Sequence, residues 1–330
     1  MPPGDCPGAC HPIAIGIDVG GTTFTVCAID REDGLITDAT EATPATDDAE
    51  TMVAAIAALA AHVMTAVAQT HPVPVDGVGI GVPGTISTDE RTAVDCPNLP
   101  VLNGLAVGEL LSVRFGVPSR MHNDAYCAAL GELRYGAGRG HHNVLVVTLG
   151  TGVGGGVVIK DRVIRGPRQI LGEIGHIIID PDGPPCNCGA AGCLEAVVGR
   201  DAIIARAREG LAQNSGSRLS ATTEAITPRI IAHLAADGDE YCRGLIDWIG
   251  ACVGLALANA IVVCDPDVIL VGGGIAGAGS MLLEAIRRSV ATHSRISGFD
   301  PSNVVACALG PRAGAVGAAA LAWEPGGPAV

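Results

Sequence analysis

The stretch "IAIGIDVGGTTFTVCAID", Ile13 to Asp30, is an apolar run, a glycine-rich turn and a second apolar run. Its pattern predicts a strand, a tight turn and a second strand. "NVLVVTLGTGVGGGVVIKD", Asn143 to Asp161, repeats that plan near the middle of the chain. Laid over one another, the two place Asp18 on Thr148, Gly20 on Gly150 and Gly21 on Thr151. The same hairpin at the head of each half predicts an internal duplication, with the boundary near residues 118–122. Glycine lets a backbone approach an anion, and successive N–H groups then point at it. Gly20, Gly21, Gly150 and Gly152 are therefore candidate phosphate-binding positions, with Thr22, Thr23, Thr148 and Thr151 adding hydroxyl donors. The plain alternative is a glycine turn without a ligand, and the matched pair of hairpins weighs against it.

Working outward, the chain alternates strands and helices. A helix is predicted from about Ala49 to Gln69, with apolar residues at Met52, Ile56, Leu59, Val63 and Val67. "VDGVGIGVPG" (Val75–Gly84) reads as a strand ending in a turn, and "NGLAVGELLSVRFGVP" as a helix closed by Gly116 and Pro118. "SRMHNDAYCAALGELRYG" begins as a strand and becomes a helix at about Asp124. Further helices are expected near 194–212, 222–236 and 239–263. A strand, glycine turn and helix follow in "DVILVGGGIAGAGSMLLEAIRRSV", and "RAGAVGAAALAW" is the last helix. The class is α/β, in two domains with a cleft between them. The expected division is a flexible tail at 1–11, a smaller domain at 12–121, a larger one at 122–310, and a C-terminal helix and tail at 311–330 that packs back on the N-terminal domain.

Composition narrows the function. The 330 residues are 48% hydrophobic, 16% charged and 2% aromatic, with a net charge of −14, so the core is built from Ala, Val, Ile and Leu. The acidic balance argues against nucleic acid or an anionic membrane as partner. The N-terminus shows no secretory pattern. The apolar stretch Gly244–Val263 carries Asp247 and Asn259 and reads as a buried helix rather than a membrane span. Most of the twelve cysteines stand singly in apolar segments, as thiols of a reducing cytoplasm do.

Four motifs bear on chemistry. Gly150-x-Gly152-x-x-Gly155 matches a dinucleotide fingerprint, but a strand follows it instead of a helix. Gly272-x-Gly274-x-x-Gly277 does lie between strand and helix, and a single nucleotide against Gly272, Gly273 and Gly274 stays open. Asn123-Asp124 sits where a strand meets a helix. It reads either as an N-cap, the simpler reading, or as a general base whose carboxylate the helix terminus holds ionised. Cys186-x-Cys188-x4-Cys193, with His176 ten residues earlier, supplies a tetrahedral Cys3His set. Such a set is a structural zinc site with no open position for water. The patterns of zinc deaminases and zincins are absent.

Taken together, these segments resemble the ROK family of sugar kinases and repressors over about residues 12–323. "DVGGTT" (Asp18–Thr23) and "LGTGVGGG" (Leu149–Gly156) are similar to its two phosphate motifs. "GIGVPG" (Gly79–Gly84) and "CPNLP" (Cys96–Pro100) resemble its sugar-side loops, and "NDA" (Asn123–Ala125) its catalytic segment. "GEIGH" (Gly172–His176) and "CNCGAAGCLE" (Cys186–Glu195) carry its most specific signature, and "ILVGGGIA" its adenosine-side turn.

The resemblance implies an actin-like, ribonuclease-H-like fold and ATP-dependent, Mg2+-dependent phosphorylation of a hexose, glucose first, in a cytoplasmic enzyme expected to be a homodimer. It implies Asp124 as general base. Asn123, Glu173, His176 and Glu195 would bind the sugar, joined by Asn98, Gly84 and Thr85. Asp18 and the two glycine turns would hold Mg2+ and the phosphates, and His176, Cys186, Cys188 and Cys193 would hold Zn2+. Thr23, Leu171 and the run after "PNL" depart from common family residues, which bears on the substrate: another sugar, an amino sugar or a cyclitol is the alternative. A sugar-responsive repressor is disfavoured, because the first strand begins near Ile13 with no helix-turn-helix before it.

Overall fold

The computed structural model describes residues 11–214, 216–296 and 298–324. The expected tail at 1–11 lies outside the described residues except for its last position, as does the end of the C-terminal segment. In chain order the elements are β1 (Ile13–Val19), β2 (Thr23–Asp30), β3 (Gly34–Ala42), α1 (Ala49–Thr70), β4 (Val75–Val82), β5 (Thr85–Ile86), β6 (Ala93–Asp95), α2 (Val107–Phe115), β7 (Ser119–Asn123) and α3 (Asp124–Tyr135). There follow β8 (Val144–Leu149), β9 (Val153–Ile159), β10 (Arg162–Val163), α4 (Leu194–Val198), α5 (Arg200–Leu211), α6 (Pro228–Ala236), α7 (Glu240–Cys264), β11 (Val268–Gly272), α8 (Ser280–His293), β12 (Val304–Ala306) and α9 (Ala313–Ala320).

The chain divides into two units. Among the described residues, unit 1 spans 11–135 and takes back 312–324, and unit 2 lies within 136–311. The division falls after Tyr135, not at 121 and 122 as the sequence suggested. The reason is packing: α3 lies against α9 in unit 1. Gly317 has no room for a Cβ against the Cys127 carbonyl, and a Cβ on Gly131 would sit 2.5 Å from the Ala313 oxygen.

Each unit is built on the same sheet. In unit 1 the strand order is β3-β2-β1-β4-β7, and in unit 2 it is β10-β9-β8-β11-β12. In both, the first three strands are antiparallel and the last two join in parallel. The duplication read from the two hairpins is thus a duplication of topology. This is the actin-like ATPase fold.

Packing explains the low aromatic content. α9 is Ala, Gly and Val throughout and buried on every side. It lies backbone-to-backbone on the unit 1 sheet: a Cβ on Gly16 would collide with the Ala315 carbonyl, and one on Gly79 with the Ala318 carbonyl. In unit 2, α7 meets α8 through Gly250 and Gly254, which abut Ala285 and Ser289. α1 and α7 are long and apolar enough to cross a membrane, and α7 spends its apolar face on the unit 2 core.

Local differences from expectation have local causes. The helix expected at 194–212 breaks at Gly199, whose backbone is extended. The helix expected from 222 begins at Pro228, with Thr227 as cap, because proline suits the first helical position.

Candidate active site

In unit 1, Asp18 is the penultimate residue of β1, and the turn to β2 follows Val19. The turn is pinned from β3: the Thr43 hydroxyl donates to the Gly20 carbonyl at 2.6 Å, and the Thr43 N–H donates to the Thr22 carbonyl at 2.9 Å. Fixing these carbonyls orients the turn, and Gly21, Thr22 and Thr23 are exposed. Asn98 comes beside the turn, since a Cβ on Gly21 would stand 3.3 Å from its carbonyl oxygen.

The Asn123-Asp124 pair divides two jobs. Asn123 Oδ1 accepts the N–H groups of Ala125 and Tyr126 at 2.9 and 3.2 Å, so Asn123 caps α3. Its Nδ2 donates to the Gly84 carbonyl at 3.2 Å, which ties the Gly84–Thr85 loop to the same corner. Asp124 Oδ1 accepts the Ala125 N–H at 2.8 Å. Of the two readings of this dipeptide, the N-cap falls to Asn123, and the general-base reading has the helix terminus keep the Asp124 carboxylate ionised. The structure reverses the sign: burial pushes the Asp124 pKa up, against smaller lowering by the Ala125 and Asp124 amides and the Asn123 side chain. Asp18 is pushed up to about 7, first by burial and then by the charge of Asp124. Two carboxylates in one apolar corner favour a cation or a shared proton.

Two glycines complete this half, and of these Gly314 has no site role in the sequence motifs. Gly314 of α9 and Gly81 of β4 flank Asp18: a Cβ on Gly314 would strike its carboxylate, and one on Gly81 would lie 3.5 Å from Oδ1. The signal was present in the run of small residues in α9, but nothing in sequence links position 314 to position 18.

In unit 2, Thr148 is the penultimate residue of β8, and the turn Gly150–Gly152 follows Leu149. The Gly150 N–H donates to Gly152 O at 2.9 Å, and the Arg200 N–H, at the start of α5, donates to the carbonyls of Gly150 and Thr151. Parallel pairing sets Gly272 opposite Thr148. Gly273 adopts φ 86, open to glycine, and a Cβ there would collide with Leu149 oxygen. The two glycine turns of unit 2 are therefore neighbours.

The segment from Gly172 to Glu195 lies directly on this turn. Gly155, Gly172 and Gly175 allow its backbone to touch β9: a Cβ on Gly172 would be 2.8 Å from Gly155 oxygen, and one on Gly175 would strike Val153 oxygen. Glu195 Oε2 accepts the Val153 N–H at 2.9 Å and packs over Gly152. His176 Nδ1 is 3.7 Å from Cys186 Sγ, and Cys188 Sγ is 3.6 Å from Cys193 Sγ. One ligand atom from each of these four residues lies within 4.8 Å of the others. These separations fit the edges of a tetrahedron with about 2.3 Å metal–sulfur bonds and are too long for a disulfide. On the far side of the imidazole, Nε2 is 4.0 Å from Glu173 Oε2. The Cys188 thiol is lowered to about 7, chiefly by the Ala190 amide, and burial raises Cys193 to about 12. A cation would draw all three sulfurs into the thiolate form. The ten cysteines of the described residues are free thiols.

Unit 1 thus gathers Asp18, Gly20–Thr23, Gly84, Asn98, Asn123 and Asp124. Unit 2 gathers Thr148, Gly150–Gly152, Gly272–Gly274, Glu173, His176 and Glu195.

A family profile described as "ROK family" matches residues 14–324. A glucokinase of Thermotoga maritima is 34% identical over 94% of this chain and 97% of its own. The structure of a ROK family glucokinase from Streptomyces griseus, in complex with glucose and AMPPNP, superposes with a TM-score of 0.82 at 33% identity, covering 95% of this chain and all of that one. A xylose repressor of Caldicellulosiruptor bescii is 28% identical over 74% of this chain and 62% of the repressor.

Proposed function

This chain belongs to the ROK family, and from that premise we propose that it is an ATP-dependent sugar kinase that phosphorylates a hexose, foremost glucose at its 6-hydroxyl. The carrying observation is the division of labour at the β7–α3 turn. Asn123 takes the capping role, and Asp124 is left with a raised proton affinity. A base must hold a proton once it has taken it, and a raised pKa serves that purpose near neutral pH.

Asp124 accepts the proton of the sugar hydroxyl as its oxygen attacks the γ-phosphorus. The rest of the machinery positions and neutralises, which is what phosphoryl transfer needs. The amides of Gly20–Thr23 and Gly150–Gly152 hold phosphate oxygens, and Gly272–Gly274 receives the adenosine. Asp18 is the carboxylate suited to Mg2+, which supplies charge neutralisation to the phosphates. Asn123, Glu173, His176 and Glu195 accept or donate hydrogen bonds to the sugar hydroxyls, with Asn98, Gly84 and Thr85 beside them. A site that hydrogen-bonds these hydroxyls rejects analogues that lack them.

His176 Nδ1 and the thiolates of Cys186, Cys188 and Cys193 would hold Zn2+, whose contribution is a fixed loop, since four protein ligands leave no vacancy for chemistry. Nε2 of His176 then stays on the Glu173 side. The free thiols suit a reducing cytoplasm, and a homodimer is the expected assembly. The kinase reading is favoured over a repressor by the higher identity and fuller coverage of the kinase match.

The test is ADP release by the zinc-loaded protein across hexoses, amino sugars and cyclitols, with Asp124→Asn beside the wild type. Glucose is expected to give the highest kcat/KM, and Asp124→Asn to lose about 10²- to 10⁴-fold in kcat while still binding sugar in calorimetry. Absence of turnover on every sugar, with DNA binding instead, overturns the reading.

A further inference from the structure

The β7–α3 turn is gripped by both arms, and one residue holds both grips. β7 runs into Asn123 and α3 runs away from Asp124. Arg120 on β7 donates from Nη1 to the Glu324 carbonyl oxygen at 2.6 Å and to the Leu321 carbonyl at 3.0 Å. Arg134, in the last turn of α3, donates from Nη2 and Nε to Glu324 Oε1 at 2.7 and 3.1 Å. The backbone of Glu324 therefore holds the strand while its side chain holds the helix.

Neighbouring contacts stiffen the arrangement. Glu90 Oε2 lies 2.6 Å from Arg120 Nε and 2.5 Å from Nη2, and the Glu90 carbonyl accepts the Met121 N–H at 2.7 Å. Glu90 does this at φ 61, a conformation side-chain-bearing residues seldom adopt. Trp323 donates from Nε1 to Asp76 Oδ2 at 3.0 Å, which anchors the residue before Glu324 to the edge of β4.

We propose that Glu324 is a positioning residue for phosphoryl transfer: by tying β7 to α3 it sets the angle at which they meet, and so the place of the Asp124 carboxylate at their junction. The inference rests on the kinase reading above. Neither arginine touches Asp124, so the effect is transmitted through the two elements. The Arg134 side chain is 41% exposed, and ion pairs so exposed add little stability. What the contact can do is fix a geometry, and reaction rates are sensitive to ångström displacements.

Glu324→Ala and Arg134→Ala test this, with Glu324→Gln as the conservative variant that keeps a side-chain oxygen for Arg134. Each alanine variant is expected to lower kcat about tenfold with the sugar KM nearly unchanged. The double variant is expected to be no worse than either single one. Glu324→Gln is expected to restore most of the loss. The acid limb of the kcat–pH profile is expected to move to lower pH, as water reaches Asp124. Asp247→Ala, which breaks the exposed Arg288–Asp247 pair in unit 2, is expected to leave kcat unchanged. Hydrogen exchange at the Ala125 and Tyr126 amides reads the turn directly, with or without turnover, and is expected to rise in Glu324→Ala. Unchanged exchange, or unchanged kcat in an enzyme whose wild type turns over, overturns the positioning role. A wild type without turnover overturns the kinase reading instead.

Discussion

Unit 1 and unit 2 share a sheet and a hairpin, yet they hold their carboxylates in opposite ways. In unit 1, Asp18 stands near the end of a strand, with glycines of α9 and β4 packed against its carboxylate, and Asp124 begins a helix. In unit 2 the strand position equivalent to Asp18 is Thr148. Its carboxylates, Glu173 and Glu195, flank a segment with little regular structure, Glu195 in the first turn of α4, and that segment is shaped by glycine contacts and by a Cys3His cluster. Even the turns differ: four residues separate Val19 from Phe24, and three separate Leu149 from Val153. A duplicated scaffold can thus carry acids by core packing in one copy and by a metal-ready loop in the other. The lesson is that rigidity has two sources here, and each half should fail in its own way.

The sharpest break is expected in unit 2. Cys188→Ser should release zinc and, by freeing the frame shared by Glu173 and Glu195, lower kcat/KM for the sugar on the order of a hundredfold. Metal content and sugar titration check it, and a metal-free variant with full sugar affinity would show that the loop stands by itself. A milder break is expected in unit 1. Gly314→Ala places a Cβ against the Asp18 carboxylate. It should raise the KM for MgATP about tenfold, spare sugar affinity, and cost about 1–3 kcal/mol of stability in chemical denaturation. Loss of zinc from this variant would contradict the independence of the halves.

The smallest effect concerns pH. The folded-state pKa of Asp18 is raised to about 7 from 3.8, so the native state holds this proton more tightly than the unfolded chain. Its contribution to stability is fully present below about 3.8 and is lost as the pH rises through about 7. On the proposed role of Asp18 toward Mg2+, MgATP would offset the ionised form, so its Tm increment should be larger at pH 8 than at pH 6. An equal increment at both would sever Asp18 from the nucleotide.

Much of this was legible in sequence because it is local. The hairpins announce themselves by period and glycine, and the Cys3His set by spacing. Other features depend on distant partners. The seat of Asp18 under Gly314 and the contact of Glu195 with Val153 join residues far apart in the chain. The unit boundary moved past α3 because α3 and α9 share a seam that neither helix reveals alone. The dipeptide shows the helix terminus that lowers the Asp124 pKa but not the burial that raises it more.

The placement of α9 has a consequence for how the chain is made. Among the described residues, unit 2 occupies one stretch that ends at residue 311, whereas unit 1 needs residues from both sides of it. Until α9 arrives, the glycine-lined faces of the first sheet and of α3 have no backbone to rest against. On the ribosome, where domains tend to fold as units in order of synthesis, the second-encoded half is therefore the first that can finish. The half carrying the proposed base closes last, when its final helix emerges.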